Sequence, residues 1–245
     1  MNLEPMQWVL AATGAFFIGV SKTGIAGLGM LFVAIFANIL PTKEASGFVL
    51  PMLIFGDLVA VAAYRAHAKW RHVARLMPGT AAGVVLGYFA MGRIDDGQAR
   101  VLVGGIIVSM VLIHLWRKWR GGDGDPASIG RWFAVTMGVL AGFTTLVANA
   151  AGPLMALYLL SMRLQKMEFV GTAAVFFLLL NLFKVPFMVD LGLINAGSFA
   201  ANLWLAPAVW LGAWAGKWLL TRIRQKLFEN LALGLSAAAG GRLLF

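Results

Sequence analysis

The chain has 245 residues, of which 60% are hydrophobic and only 12% are charged, and its mean hydropathy is +0.83. This composition excludes a soluble globular domain and predicts an all-α integral membrane protein. The net charge of +10 lies in short loops between apolar segments, which argues against a nucleic-acid partner, and zero cysteines exclude disulfides and thiolate metal sites.

The first apolar segment, residues 6–40, carries a lysine at membrane depth. Lys22 stands between Ser21 and Thr23 and is followed by Gly24. An ammonium in the hydrocarbon region is costly unless it is paired or used. Hydroxyls, free backbone N–H groups and a positive charge at the start of a half-helix together favour an anion. We therefore predict that these four residues bind an anionic substrate, with a snorkelling lysine as the structural alternative.

Six further apolar runs are each close to the roughly 20 residues that a helix needs to cross the hydrocarbon core. They cover residues 45–64, 76–92, 99–116, 169–189, 199–219 and 227–245. Between the third and the fourth, a Gly/Asp/Pro-rich stretch predicts a linker at 121–130. The chain is thereby divided into two membrane halves, 1–120 and 131–245.

Three polar side chains inside these predicted helices are candidates for a function. Asp57 lies well within the first run, and Asn181 and Lys184 lie within the fourth. An intramembrane carboxylate predicts a proton acceptor, a cation ligand or a counter-ion to Lys22 or Lys184. A purely structural Asp–Lys pair is the competing interpretation, and proton coupling stays open.

Residues 131–163 begin and end among cations, and these 33 residues are too few for two full crossings and a turn. They predict a hairpin of two short helices whose tip presents Thr144, Thr145 and Asn149 to the oxygen atoms of a ligand. By symmetry, residues 6–40 form the other hairpin, and the two tips meet near the midplane. Simple capping of short helices is the alternative role of the tip residues, and single tilted or broken spans are the alternative fold.

The two halves repeat each other. Three landmarks recur in the same order and at the same spacing, namely Glu44, Gly47 and Asp57 in the first half and Glu168, Gly171 and Asn181 in the second. The loops oppose each other in charge, because residues 65–75 are basic whereas the matching loop 189–200 has no cation. Since cationic loops stay in the cytoplasm, the halves are predicted to have inverted topology, each with a hairpin and three membrane helices. Inverted repeats are typical of secondary transporters.

This topology predicts that both termini lie outside the cytoplasm. Of the twenty Lys and Arg residues, fourteen fall on the cytoplasmic side and two, Lys22 and Lys184, fall within apolar segments. The other four fall on the outer side: Lys43, Arg93, Arg100 and Arg242.

Each half opens with a glycine-rich apolar stretch, at residues 19–29 and 142–153. Together they resemble the sulfite exporter TauE/SafE family, also called toluene sulfonate uptake permeases, and the likeness covers essentially the whole chain. The resemblance implies a carrier in the bacterial inner membrane for sulfite, organosulfonates or other small anions. The second stretch departs from the family's usual three glycines with Ala150-Ala151-Gly152, whose methyl groups narrow the space for an anion.

The predicted function is therefore secondary transport of a small anion through a midplane site between the two hairpin tips. No motif predicts an enzyme, a cofactor or a metal site. A cation or proton channel centred on Asp57 is one alternative, although it leaves Lys22 unexplained. A non-transporting scaffold is the other, although it needs no polar tips. The predicted partners are the substrate anion and the lipid bilayer, with a homodimer left open.

Overall fold

The computed structural model describes residues 4–25, 27–119 and 131–244, so the predicted linker at 121–130 lies outside the described residues. The helices of the first half are α1 (Pro5–Thr23), α2 (Gly29–Ala37), α3 (Thr42–Phe48), α4 (Leu50–Tyr64), α5 (Trp70–Met91) and α6 (Asp96–Trp119). Those of the second half are α7 (Arg131–Ala148), α8 (Ala151–Ser161), α9 (Lys166–Asp190), α10 (Ala196–Arg222) and α11 (Gln225–Leu244). A single 3₁₀ turn, Arg65–His67, follows α4.

The predicted all-α membrane fold is confirmed. Among the described residues, four helical stretches are long and apolar enough to cross a membrane: Lys43–His67, Trp70–Met91, Asp96–Trp116 and Lys166–Asp190. The first of these joins α3, α4 and the 3₁₀ turn into one span. The last two predicted runs are also helical, because α10 has 27 residues and α11 has 20.

The two segments predicted as hairpins each contain a long and a short helix. In the first, the Phe36 ring of α2 lies against Gly14 of α1, which requires α2 to fold back along α1. In the second, the rings of Phe133 in α7 and Tyr158 in α8 stack with their centroids 6.0 Å apart. Single broken spans would hold these partners far apart, so both segments are hairpins.

Each hairpin packs its long helix against a helix of the other half through glycines spaced four residues apart. On α5, Gly79 and Gly83 face the carbonyl groups of α7, and on α10, Gly212 and Gly216 face those of α1. A Cβ atom at Gly83 or Gly212 would overlap the facing carbonyl oxygen. Such small-residue spacing allows membrane helices to approach closely, and here it interlocks the two halves.

In each half, a lysine near the start of one helix donates hydrogen bonds to backbone carbonyl groups at the end of another helix. The acceptors are Met91 and Ile94 for Lys43 (2.8 and 2.6 Å) and Leu220 and Ile223 for Lys166 (3.0 and 2.6 Å). These carbonyls lie at the C-terminal ends of α5 and α10, where a helix leaves its acceptors without intrahelical partners. The same arrangement thus closes the end of a long helix in each half.

At the centre, the α3–α4 span and α9 run antiparallel. Gly47 contacts Leu193, Asp57 binds Asn181, and Gly171 contacts the backbone of Tyr64. The predicted repeat makes α3–α4 and α9 equivalent helices, and an inverted repeat requires equivalent helices to run in opposite directions. The packing is therefore what the prediction requires, while the orientation of each half in the membrane stays a prediction.

The two hairpin tips lie at opposite ends of the α3–α4 span. The Tyr64 hydroxyl donates to the carbonyl of Thr23 at the first tip (3.0 Å). At the other end, the Ser46 hydroxyl donates to the carbonyl of Leu146, and the Asn149 amide donates to the carbonyl of Ser46, both at 3.0 Å. At 1.5 Å per residue, Ser46 and Tyr64 are on the order of 27 Å apart. The tips therefore contact opposite ends of this span and border one space, while their meeting near the midplane stays a prediction.

Candidate functional site

A cavity of about 220 Å³ occupies this space. Predicted site residues supply part of its polar lining, namely Ser21, Lys22, Asp57, Thr145, Asn149 and Asn181. The short helices α2 and α8 and the middle of α9 supply apolar lining, which includes Phe32, Met155 and Phe177. Both hairpin tips and both antiparallel central helices therefore contribute to a single cavity.

Lys22, in the last turn of α1, is held by α4 and α9. Its ammonium Nζ lies 2.8 Å from Oδ1 of Asp57, and only 10% of the side chain is exposed. The same Nζ lies 4.4 Å from the centroid of the Phe177 ring, where a cation is attracted to the face of an aromatic ring. Lys22 is thus an ion-paired residue at the cavity wall.

Asp57 joins the two halves of the chain. Its side chain is fully buried, and its Oδ2 accepts a hydrogen bond of 2.7 Å from Nδ2 of Asn181. These are the two residues that the sequence repeat pairs as equivalent positions. The repeat mates therefore touch each other at the centre of the molecule, and Asp57 is the counter-ion of Lys22.

Lys184, the other predicted intramembrane cation, is fully buried beside the second hairpin tip. Its ammonium donates to the backbone carbonyl of Thr145 at 3.0 Å and to Oδ1 of Asn149. Asn149 adopts a left-handed backbone conformation, with φ of 51°, at the turn between α7 and α8. Lys184 thus ties α9 to this turn through uncharged oxygen atoms.

The buried charges of the site do not balance. The ion pairs found among the described residues are Lys22–Asp57 and Lys69–Glu168. Lys184 therefore has no carboxylate at ion-pair distance within the described part of the chain. With all three groups ionised, Lys22, Asp57 and Lys184 carry a net charge of +1. A buried charge without a partner costs several kcal/mol, and a monoanion in the adjoining cavity would offset that cost.

The sequence model of the family described as sulfite exporter TauE/SafE matches residues 11–243, nearly the whole chain. The chain belongs to this family. Neither a curated protein nor a solved structure matches it. The predicted resemblance is confirmed, and with its apolar helices this TauE/SafE protein is a membrane transporter of the sulfite-exporter type.

Not every predicted binding residue of the TauE/SafE protein reaches the cavity. The hydroxyl of Thr23 donates to the carbonyl groups of Gly19 (3.1 Å) and Ala213 (2.6 Å), which fastens α1 to α10. Gly24 packs against the backbone of Gly216, and the Thr144 hydroxyl donates to Leu140 of its own helix (2.8 Å). Thr23, Gly24 and Thr144 do not line the cavity, so its geometry gives their predicted contact with substrate no support.

Other predicted residues do line it. Ser21 faces the cavity although its hydroxyl donates to the carbonyl of Ile18 at 2.9 Å. Asn149 also faces it, but its amide is engaged by Ser46 and Lys184. Thr145 also lines the cavity, and its hydroxyl can donate a hydrogen bond to an anion there.

Several contributors to this TauE/SafE site were not predicted from the sequence, among them one aromatic residue and two arginines. Phe177 precedes Asn181 by four residues and thus shares its helix face, a spacing that could have revealed it. Arg100 of α6 and Arg242 of α11 also line the cavity. The sequence assigned these two arginines only to the outer side of the membrane, and no local pattern indicated that they line a cavity.

Proposed function

We propose that this TauE/SafE protein is a secondary transporter that carries a small sulfur oxyanion, sulfite or an organosulfonate, across the bacterial inner membrane. The anion binds in the cavity between the two hairpin tips. One observation carries the proposal: two lysines and a single carboxylate are buried beside a cavity that both halves of the molecule line. No enzymatic activity is proposed.

The binding groups follow from the lining. Lys22 supplies the positive charge at the wall, and the hydroxyl of Thr145 donates a hydrogen bond to an anion oxygen. Hydrogen bonds to charged groups are about twice as strong as those between neutral groups. The apolar surface around Phe32, Met155 and Phe177 accommodates the organic group of a sulfonate, and a bare oxyanion leaves that space to water.

Asp57 acts as the internal anion that substrate competes with. In the structure it holds the ammonium of Lys22, so an incoming anion and Asp57 compete for the same cation. A proton bound by Asp57 would release Lys22, and anion and proton would then bind together. We therefore propose that Asp57 couples transport to protons.

The function is tested with purified protein in detergent and in proteoliposomes. We expect radiolabelled sulfite or methanesulfonate to exchange in a counterflow assay, and the same anions to raise the apparent Tm. Because Lys22→Gln alone would leave Asp57 unpaired, the informative variant is Lys22→Gln/Asp57→Asn, which should bind the anions at least about tenfold more weakly. Lys217→Gln, a change at an exposed position of α10, is the matched control. Wild-type affinity in the double variant would reject the site.

Coupling is tested with Asp57→Asn, purified in the presence of sulfite. This variant should still exchange radiolabelled sulfite, since Lys22 remains and is no longer held by a carboxylate. Net uptake should lose its response to an imposed pH gradient, because no titratable group is left at position 57. Unchanged pH-driven uptake would place the coupling elsewhere.

A further inference from the structure

The cavity opens where two arginines stand. Of its lining residues, all of which the structure describes, only Asn38, Arg100 and Arg242 are exposed, so these three mark the mouth. Arg100 lies in the first turns of α6, and Arg242 lies in the last turn of α11. The two helices pack closely, since Gly240 lies against Ile107 and Val108. The mouth therefore has a cationic edge built from two helices.

The position of these arginines is unusual for their side of the molecule. The predicted topology puts four Lys and Arg residues on the outer face. Lys43 is engaged by the carbonyls at the end of α5, and Arg93 is exposed and does not line the cavity. The other two, Arg100 and Arg242, both reach the cavity lining. Half of the cations on a cation-poor face are thus gathered at one opening.

The argument for an anion-binding role is stronger for Arg242 than for Arg100. Arg100 follows Asp96 by four residues on α6, a spacing that brings opposite charges together on a helix. Arg242 has no acidic residue within four positions on α11, whose only carboxylate is Glu229. Its guanidinium is exposed at the mouth and presents a planar set of donors that matches the oxygen atoms of a sulfite or sulfonate group.

We propose that Arg242, with Arg100, forms an outer anion-binding station through which the oxyanion passes between the outer solution and the site at Lys22. This inference rests on the proposed function and adds a second, shallower site to it. Charges of one sign around a cleft with low-dielectric walls raise the local concentration and the on-rate of an oppositely charged substrate. Deeper in the cavity, the ammonium of Lys22 at the wall is the next cation that the anion meets.

The experiment measures radiolabelled sulfite exchange in proteoliposomes, with ionic strength varied equally on both sides. The variants are Arg242→Gln, Arg242→Lys and Arg100→Gln/Arg242→Gln. Arg93→Gln is the matched control, because it removes a cation from the same predicted face without touching the cavity. The apparent Tm of each variant shows whether the protein remains folded. If the double variant does not fold, Arg242→Gln alone carries the test.

At low salt we expect Arg242→Gln to raise KM roughly threefold to tenfold with little change in the maximal rate. Arg242→Lys should recover part of this loss, because it keeps the charge but not the planar donor set. The wild-type KM should rise with salt as screening shortens the Debye length, whereas the KM of Arg242→Gln should change less. If Arg242→Gln had the same KM and the same salt dependence as the wild type, the outer station would be rejected and the proposed function would stand. A wild-type protein that exchanges neither sulfite nor methanesulfonate would overturn both.

Discussion

At the scale of single residues, the role of a buried charge depends on the group with which it is paired. Lys22 alone in an apolar segment predicts an anion-binding cation, but in the structure its ammonium is already 2.8 Å from the carboxylate of Asp57. A carboxylate that is fully buried cannot exchange this partner for water. The pair is therefore stable only while both charges are present or while a substrate anion replaces one of them.

Asp57→Asn should destabilise the anion-free protein by about 3–5 kcal/mol, because it leaves the charge of Lys22 without a partner. Sulfite should restore more of the lost stability in this variant than it adds to the wild type, since the freed ammonium accepts the anion. The measurement is the apparent Tm in detergent as a function of sulfite concentration.

The control is Lys22→Gln/Asp57→Asn, which removes both charges and should be more stable than either single variant. A double variant whose Tm loss equals the sum of the two single losses would show that the two residues do not interact. Equal sulfite responses in wild type and Asp57→Asn would contradict competition between Asp57 and the anion.

Lys184→Met should raise the apparent Tm of the anion-free protein, because the cost of a buried charge without a counter-ion exceeds that of the two hydrogen bonds lost. The same change should reduce the stabilisation given by sulfite. Differential scanning fluorimetry with and without sulfite measures both effects, with Lys226→Met at an exposed position of α11 as the control. A lower Tm with an unchanged sulfite response would make Lys184 only a tie between α9 and the second hairpin.

At the scale of helices, glycine spacing sets which helices touch. On α5 and α10 the glycines recur every four residues, which places them on one face of each helix. That face receives the backbone of α7 or α1 so closely that any side chain would collide with a carbonyl oxygen. Packing between the halves thus depends on the absence of a Cβ atom at a few positions.

Gly83→Ala and Gly212→Ala should each lower the apparent Tm and the yield of folded protein, because the added methyl group forces two helices apart. The matched control is Gly105→Ala on α6, where a Cβ atom would meet nothing within 4 Å. That change should be neutral or slightly stabilising, since alanine favours a helix by roughly 0.5–1 kcal/mol over glycine. Equal effects at all three positions would contradict this account of helix packing.

At the scale of the whole molecule, the two halves form one unit. The long helix of each hairpin packs on the other half, α3–α4 pairs with α9, and the cavity lies where these contacts converge. A boundary between residues 120 and 131 therefore divides the sequence, but neither half has a complete site of its own. The orientation of the unit in the membrane is predicted by loop charge.

Single-cysteine labelling tests that orientation, and the chain offers a background without native cysteines. A cysteine in place of Asp123 should react only after the membrane is permeabilised, because the predicted linker is cytoplasmic. A cysteine in place of Phe245 should react with an impermeant maleimide in intact cells, because an odd number of crossings separates the two positions. Labelling of both positions from the same side would contradict the inverted topology.

Much of the fold could be predicted from the sequence, because local composition decides it. Apolar runs of about twenty residues can only be helices in a membrane, since lipid offers backbone groups no hydrogen bonds. The shortness of residues 131–163 predicted a hairpin for the same reason. The repeat of Glu44 and Asp57 at Glu168 and Asn181 could be recognised because the spacing between residues along the chain does not depend on how the helices pack.

The site was only partly predictable, because its chemistry depends on distances across the fold. Lys22 and Asp57, 35 residues apart, and Lys184 and Asn149, also 35 residues apart, become partners only after four helices pack. The burial of Lys22, Asp57 and Lys184 could be predicted from the sequence, since each lies within a long apolar segment. Which of those charges are neutralised depends on how the helices pack, because an ion pair or a hydrogen bond forms only when its partners are within a few ångströms of each other. The tertiary structure also brought Arg100 and Arg242 to one cavity mouth, through helix packing that no local pattern encodes.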